Sequence, residues 1–159
     1  VLPDSKLVFD FQPQAVPLNF SQYPYPIFDD LSLEANRIAY LQPQAIDEPW
    51  LTAAARYQAS LGRVADYRAM ETRLVTQPGD VKENERLIVI GTPKTQSAIA
   101  NLNLPLDLEN GKLLDAQKRP IPDDAGVLVL TTTAENRVPV LVATGNSEAG
   151  VAKAVQFLV

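Results

Sequence analysis

Histidine and cysteine are both missing from the 159 residues. Their absence removes Ser-His-Asp and Cys-His catalysis, thiol chemistry, disulfides and every zinc site built on imidazole or thiolate. Positive charge is scarce as well. Fourteen Lys and Arg stand against nineteen Asp and Glu, a net charge of -5, which is the wrong sign for a domain that tracks a nucleic acid or an anionic membrane. No run reaches the roughly 20 apolar residues of a bilayer span, and the N-terminus shows no basic segment followed by an apolar core of signal-peptide type. The chain begins at Val1 without a methionine and ends inside the apolar pattern Phe157-Leu158-Val159, so it reads as a piece of something longer. A lack of cysteine fits any compartment.

What is present suffices for one domain, since 46% hydrophobic residues at this length can build a sizeable core. Thirteen prolines exceed the usual ~5%, and five of them (Pro3, Pro13, Pro17, Pro24, Pro26) precede residue 27. Residues 1–22 therefore read as a linker, or as the remnant of a preceding β domain in which Leu7, Phe9 and Phe11 alternate as a strand. The α/β domain is assigned to 23–159. Ile38-Ala39-Tyr40-Leu41 is its first strand. Asp47 and Glu48 before Pro49 suit a helix N-terminus, and Trp50, Ala54, Tyr57 and Leu61 form an apolar stripe that Gly62 is expected to close. A short turn and a strand near Thr72–Thr76 follow.

Leu87-Ile88-Val89-Ile90 is a continuous apolar run of the kind that fills a central strand. Thr92 and Pro93 are then expected to open a helix reaching about Leu102. Asn110-Gly111 marks a tight turn. The apolar strands 127–130 and 138–143 are joined by too few residues for a helical crossover, so they form an antiparallel hairpin. Asn146 is expected to cap a last helix with Val151, Ala154, Val155 and Leu158 inward. This order predicts an α/β fold, a three-layer α/β/α sandwich whose mixed sheet carries an antiparallel hairpin near the C-terminus.

Ligands of open α/β sheets lie beyond the carboxyl ends of the strands, where helix N-termini gather. Two strand-to-helix turns qualify, Gly91-Thr92-Pro93 and Gly145-Asn146-Ser147, and these six residues are the candidate ligand or interface loops. The plainer reading is that they only turn the chain and cap its helices. Neither turn carries a nucleotide fingerprint: Val151-Ala152 stands where a P-loop needs Lys-[Ser/Thr], and no G-x-G-x-x-G occurs. Gln42-Pro43-Gln44-Ala45 offers no hydroxyl-rich loop for a flavin. Asp107-Leu108-Glu109-Asn110-Gly111 begins like a calcium loop but lacks its closing glutamate, position 118 being lysine. Asp123 and Asp124 are the weakest option, a carboxylate pair for hydrolysis. No cofactor, metal or catalytic residue is therefore assigned. Trp50, Tyr57, Tyr23 and Tyr25 can in principle stack on sugar rings, although helix periodicity places the first two in the core.

The blocks Leu87-Ile-Val-Ile-Gly-Thr-Pro93, Leu104-Pro-Leu106, Asn110-Gly-Lys-Leu-Leu-Asp115, Pro122-Asp-Asp-Ala-Gly-Val127 and Val140-Leu-Val-Ala-Thr-Gly-Asn-Ser-Glu-Ala-Gly-Val-Ala-Lys-Ala154 resemble the periplasmic B subunit of bacterial cellulose synthase. The resemblance runs from about Tyr23 to Val159 and is densest after Leu87. It implies a flavodoxin-like domain of a regulatory subunit in which such domains alternate with carbohydrate-binding ones. It also implies a periplasmic location, with an inner-membrane anchor in the full-length parent. The expected partners are the catalytic glycosyltransferase subunit, the neighbouring carbohydrate-binding domains and the nascent glucan. The role that follows is a non-catalytic scaffold. The alternative is a small anionic-ligand or nucleotide module, for example for cyclic-di-GMP, a ligand long attached to the family's label.

Overall fold

The computed structural model describes residues 19–102, 104–134 and 137–159; the strand expected at Leu7–Phe11 lies outside them. Strand β1 (Asn36–Leu41) is followed by helix α1 (Glu48–Ala65), β2 (Met70–Val75), β3 (Glu85–Ile90), a small hairpin of β4 (Leu108–Glu109) and β5 (Lys112–Leu113), then β6 (Gly126–Thr132), β7 (Pro139–Gly145) and helix α2 (Glu148–Leu158). The main sheet has the order β2-β1-β3-β7-β6. β1 pairs in parallel with β2 and β3, β3 with β7, and only β6 runs antiparallel, with Val129 opposite Val142. The mixed sheet and the hairpin at its C-terminal edge match the apolar runs that predict them.

Alternation along the three inner strands divides the core in two. Ile38, Tyr40, Ile88, Ile90, Leu141 and Ala143 face one side, where both helices lie: Trp50, Ala53, Tyr57 and Leu61 of α1, and Val151, Ala154, Val155 and Leu158 of α2. Ala39, Leu41, Leu87, Val89, Val140 and Val142 face the other side, together with Val75, Val81 and Ile99. Among the described residues this second face carries no α-helix. It is covered by two short 3-10 turns, Pro78–Asp80 and Ser97–Asn101, and by irregular chain. The expected third, helical layer is thus replaced by loop.

The reason lies at residues 91–102, where a helix was expected. Thr92 does accept from the Thr95 N–H at 3.2 Å, as a cap would, and the Gln96 N–H reaches the Thr92 carbonyl at 2.9 Å. That single turn stops at Gln96, whose backbone (φ -124°, ψ 81°) is not helical. Its buried carboxamide instead turns inward and donates to the carbonyls of Leu41 and Ile90 at 2.9 and 3.1 Å. Two strand-end carbonyls are satisfied there at the expense of a helix.

Two helix boundaries also differ from the reading of the sequence. Gly62 lies inside α1, which continues through Arg63, Val64 and Ala65 and ends at Asp66, a residue in the positive-φ region at 54°. A glycine in a run of good helix formers interrupts nothing by itself. The cap of α2 is Ser147, whose Oγ accepts from the Gly150 N–H, one residue beyond the expected Asn146.

Candidate functional site

β1 leads through α1 to β2 on one side, whereas the chain leaving β3 goes to β6 and β7 on the other. The carboxyl ends of β1 and β3 are therefore the topological switch point, where α/β sheets open a crevice. A crevice of about 430 Å³ lies there, between the first turns of α1 and α2. Pro43 and Ala45 bound it after β1, Ile90, Gly91 and Thr92 after β3, and Glu148, Val151, Ala152 and Val155 on α2. From α1 come Asp47, Glu48, Pro49, Trp50, Thr52, Ala53 and Arg56. The loop after β1 is fixed against the turn after β3 by the Gln44 N–H, which donates to the Thr95 carbonyl at 3.0 Å.

Of the six residues picked from the sequence, Gly91 and Thr92 line this crevice and the other four do not. Pro93 is buried beside them. Gly91 sits at φ 146°, and a Cβ on it would meet Gln96 Cγ at 2.7 Å and Thr95 Oγ1 at 2.8 Å, so glycine is required by the tight return of the chain. The N–H groups of the turn, that of Lys94 apart, are taken up within the protein. The Gly91 N–H donates to the Ala143 carbonyl, that of Thr92 to Thr95 Oγ1, and those of Thr95 and Gln96 to the Thr92 carbonyl, while Pro93 has none to give. Anion cradles of helix-terminal type work by aiming such groups at the ligand.

Gly145 belongs to β7, paired with Gly126. Asn146 is turned to β5 and the loop after it: its Oδ1 accepts from the Leu113 N–H at 2.7 Å, and its Nδ2 donates to the carbonyls of Leu113 and Ile121 at 3.1 and 2.9 Å. Ser147 caps α2 and its hydroxyl also donates to the Asp123 carbonyl. The second turn is thus a clamp and a cap. Asp123 and Asp124 are exposed, and Asp124 lies 3.6 Å from Lys153. Among the described residues, no group of three or more Asp or Glu is placed to hold a metal ion. Asp107 pairs with Lys118 at 3.5 Å.

The residues that sequence reasoning missed at the crevice are the acidic first turn of α1, Arg56 on its next turns, and Glu148 opposite. Asp47 caps α1 by accepting from the Trp50 N–H at 3.0 Å. Trp50 is only 8% exposed, and its indole N–H is buried with no hydrogen-bond partner. Tyr57 lies a turn further into the core, fully buried, with Tyr23 Oη 3.1 Å from its hydroxyl. Burial pushes its phenol well above the usual value. It is core, as its periodicity predicts, and is unavailable for stacking on a sugar. The charged rim of α1 was legible as a helix start; its convergence with α2 was not, because strand order decides which helix N-termini meet.

A family model described as cellulose synthase BcsB, first FD domain, matches residues 19–159. The chain belongs to that family. BcsB is a regulatory subunit family of cellulose synthase that works with the catalytic subunit, which gives this domain a role in cellulose production. A search of the curated proteins finds no match. The blocks that carry the resemblance now have places in a BcsB domain. Leu87–Pro93 is β3 and the turn after it, Asn110–Asp115 is the turn that follows β4 together with β5, and Val140–Ala154 is β7 running into α2. No helix among the described residues is long and apolar enough to cross a membrane.

Proposed function

We propose that the chain is a non-catalytic scaffold domain of the cellulose synthase regulatory subunit. It works in the periplasm, where it holds the neighbouring carbohydrate-binding domains and the catalytic subunit in register along the emerging glucan. The observation that carries this reading, within the BcsB family, is the turn after β3. At the position where related architectures receive a phosphate, the N–H groups of Gly91, Thr92, Thr95 and Gln96 are taken up by carbonyl and hydroxyl oxygens of the protein itself. Among the described residues, the crevice rim adds Asp47, Glu48 and Glu148 against the cation Arg56. Both features weigh against the anionic-ligand alternative, cyclic-di-GMP included.

The test is a calorimetric titration of the chain with cyclic-di-GMP and with FMN. No saturable heat at micromolar concentration is expected from either. Saturable micromolar binding of one of them would defeat the scaffold reading.

A further inference from the structure

The main sheet ends in two edges that are built differently. An open edge is a template for another strand, and proteins that must stay alone guard it with charges, proline or a bulge. β2 is guarded: Glu71 and Arg73 sit in its middle, paired with Arg37 and Glu85. β6 carries none of these devices. Its seven residues, Gly126–Thr132, hold no charge and no proline, and their register with β7 runs unbroken from Gly126 opposite Gly145 to Thr132 opposite Pro139. Among the described residues β7 is its one strand neighbour.

The helix beside that edge adds apolar surface to it. Leu128 and Leu130 face the helical side, and a groove lined by Gly126, Leu128, Lys153, Ala154 and Phe157 runs between β6 and α2. Phe157 is 81% exposed there, on a helix whose Val151, Val155 and Leu158 are buried. An exposed aromatic on its own means little. Along an unguarded strand it widens the apolar edge over one face of the sheet.

The order of residues on the strand selects the occupant. Antiparallel pairing of β6 with itself, centred on Val129, sets Leu128 opposite the second copy's Leu130 on the helical face. By alternation it sets Val127 opposite the second copy's Thr131 on the other face. Such aliphatic and β-branched pairs stabilise sheets. The same two-fold axis brings both copies of α2 to one side of the joined sheet, each with Phe157 at the seam. Asp123 and Asp124, at the entry to β6, then lie more than about 30 Å from their own copies at about 3.4 Å per residue. Lys153, 3.6 Å from Asp124, lies at the same ends, so like charges do not meet across the axis. A strand of seven residues is about 24 Å long. A seam of that length with one aromatic from each copy buries on the order of 1,000 Å², the lower bound of a specific interface. The dimer is therefore weak. We propose that β6 is a dimerisation edge, on which a second copy of this chain pairs strand to strand, joining two five-stranded sheets into one. This goes beyond the scaffold role and does not depend on it.

Sedimentation equilibrium of the chain is expected to show monomer and dimer exchanging with a dissociation constant on the order of 100 µM. Phe157→Glu and Phe157→Lys, at an exposed position, are each expected to weaken the dimer about tenfold or more, because like charges then face each other across the axis. An equimolar mixture of the two is expected to restore it, which loss of an apolar contact alone would not allow. In the unaltered chain, exchange of alternate β6 amides is expected to slow as concentration rises through the dissociation constant. Thermal denaturation shows whether each variant is folded; should either fail, the β6 amides decide. A chain monomeric at about 1 mM, a dimer that neither folded variant weakens, or a mixture that stays monomeric overturns the proposal. So do β6 amides equally protected at every concentration, which would mean that the edge is covered from within the chain.

Discussion

Glu85 opens β3 almost wholly buried, and its carboxylate is held by Arg73 of β2 through Nε and Nη2, each at 2.6 Å, and by the Lys82 N–H at 2.9 Å. The Arg73 hydrogen bonds draw its pKa below the ordinary 4.5, against the opposing pull of burial. Because the folded value lies below the unfolded one, the stabilisation is complete above pH ~4.5 and fades as the pH falls through the folded value. Glu85→Gln is expected to lower stability at neutral pH and to flatten this acid limb, read by urea denaturation at a series of pH values. Sequence alone announces a glutamate at a strand start and nothing of its partner 12 residues back. The same holds for Asn146 and Gln96, whose partners lie up to 33 and 55 residues away. Asparagine favours turns and caps by local chemistry, and the cap expected at Asn146 fails because Leu113 and Ile121 claim its carboxamide, as the Leu41 and Ile90 carbonyls claim that of Gln96 within the helix expected after Thr92.

At the scale of elements, local pattern succeeded where burial is one-sided or complete: α1 by its stripe, β3 by its unbroken apolar run, and β6–β7 by the short link between them. It failed where the chain could make helix or loop at similar cost, as after Gly91. Glycine shows the ambiguity well. Gly62, expected to end α1, has open space where its Cβ would be, whereas a Cβ on Gly150 would come within 2.4 Å of the Ala125 carbonyl oxygen, because α2 is pressed against the entry to β6. Gly62→Ala is therefore expected to stabilise the domain by about 0.5–1 kcal/mol, and Gly150→Ala to destabilise it by about 1–3 kcal/mol. Thermal denaturation of the two variants checks both signs. The glycines of the Gly145–Gly150 block are explained by this close approach of backbones, a reason that no spacing rule for phosphate loops contains.

For the whole molecule, class and mixed sheet were legible, while the layer count was not, since the helix expected after Thr92 does not form and the sequence does not show which side of the sheet the other two take. α1 and α2 share one face, and the chain between β3 and β6 covers the other with only a 3-10 turn, a two-stranded hairpin and the Asn146 clamp. A cover of this kind has few cooperative hydrogen bonds of its own. Amide hydrogen exchange is expected to be fastest by at least about tenfold across 104–125 relative to β1, β3 and β7, and equal protection of both regions would contradict the picture. The lopsided wrapping has an evolutionary corollary. Because the five-stranded frame is buttressed by helices from one direction only, the opposite wrapping can lengthen, shorten or exchange its sequence with little effect on the frame, and it is there that related domains have most room to acquire different neighbours.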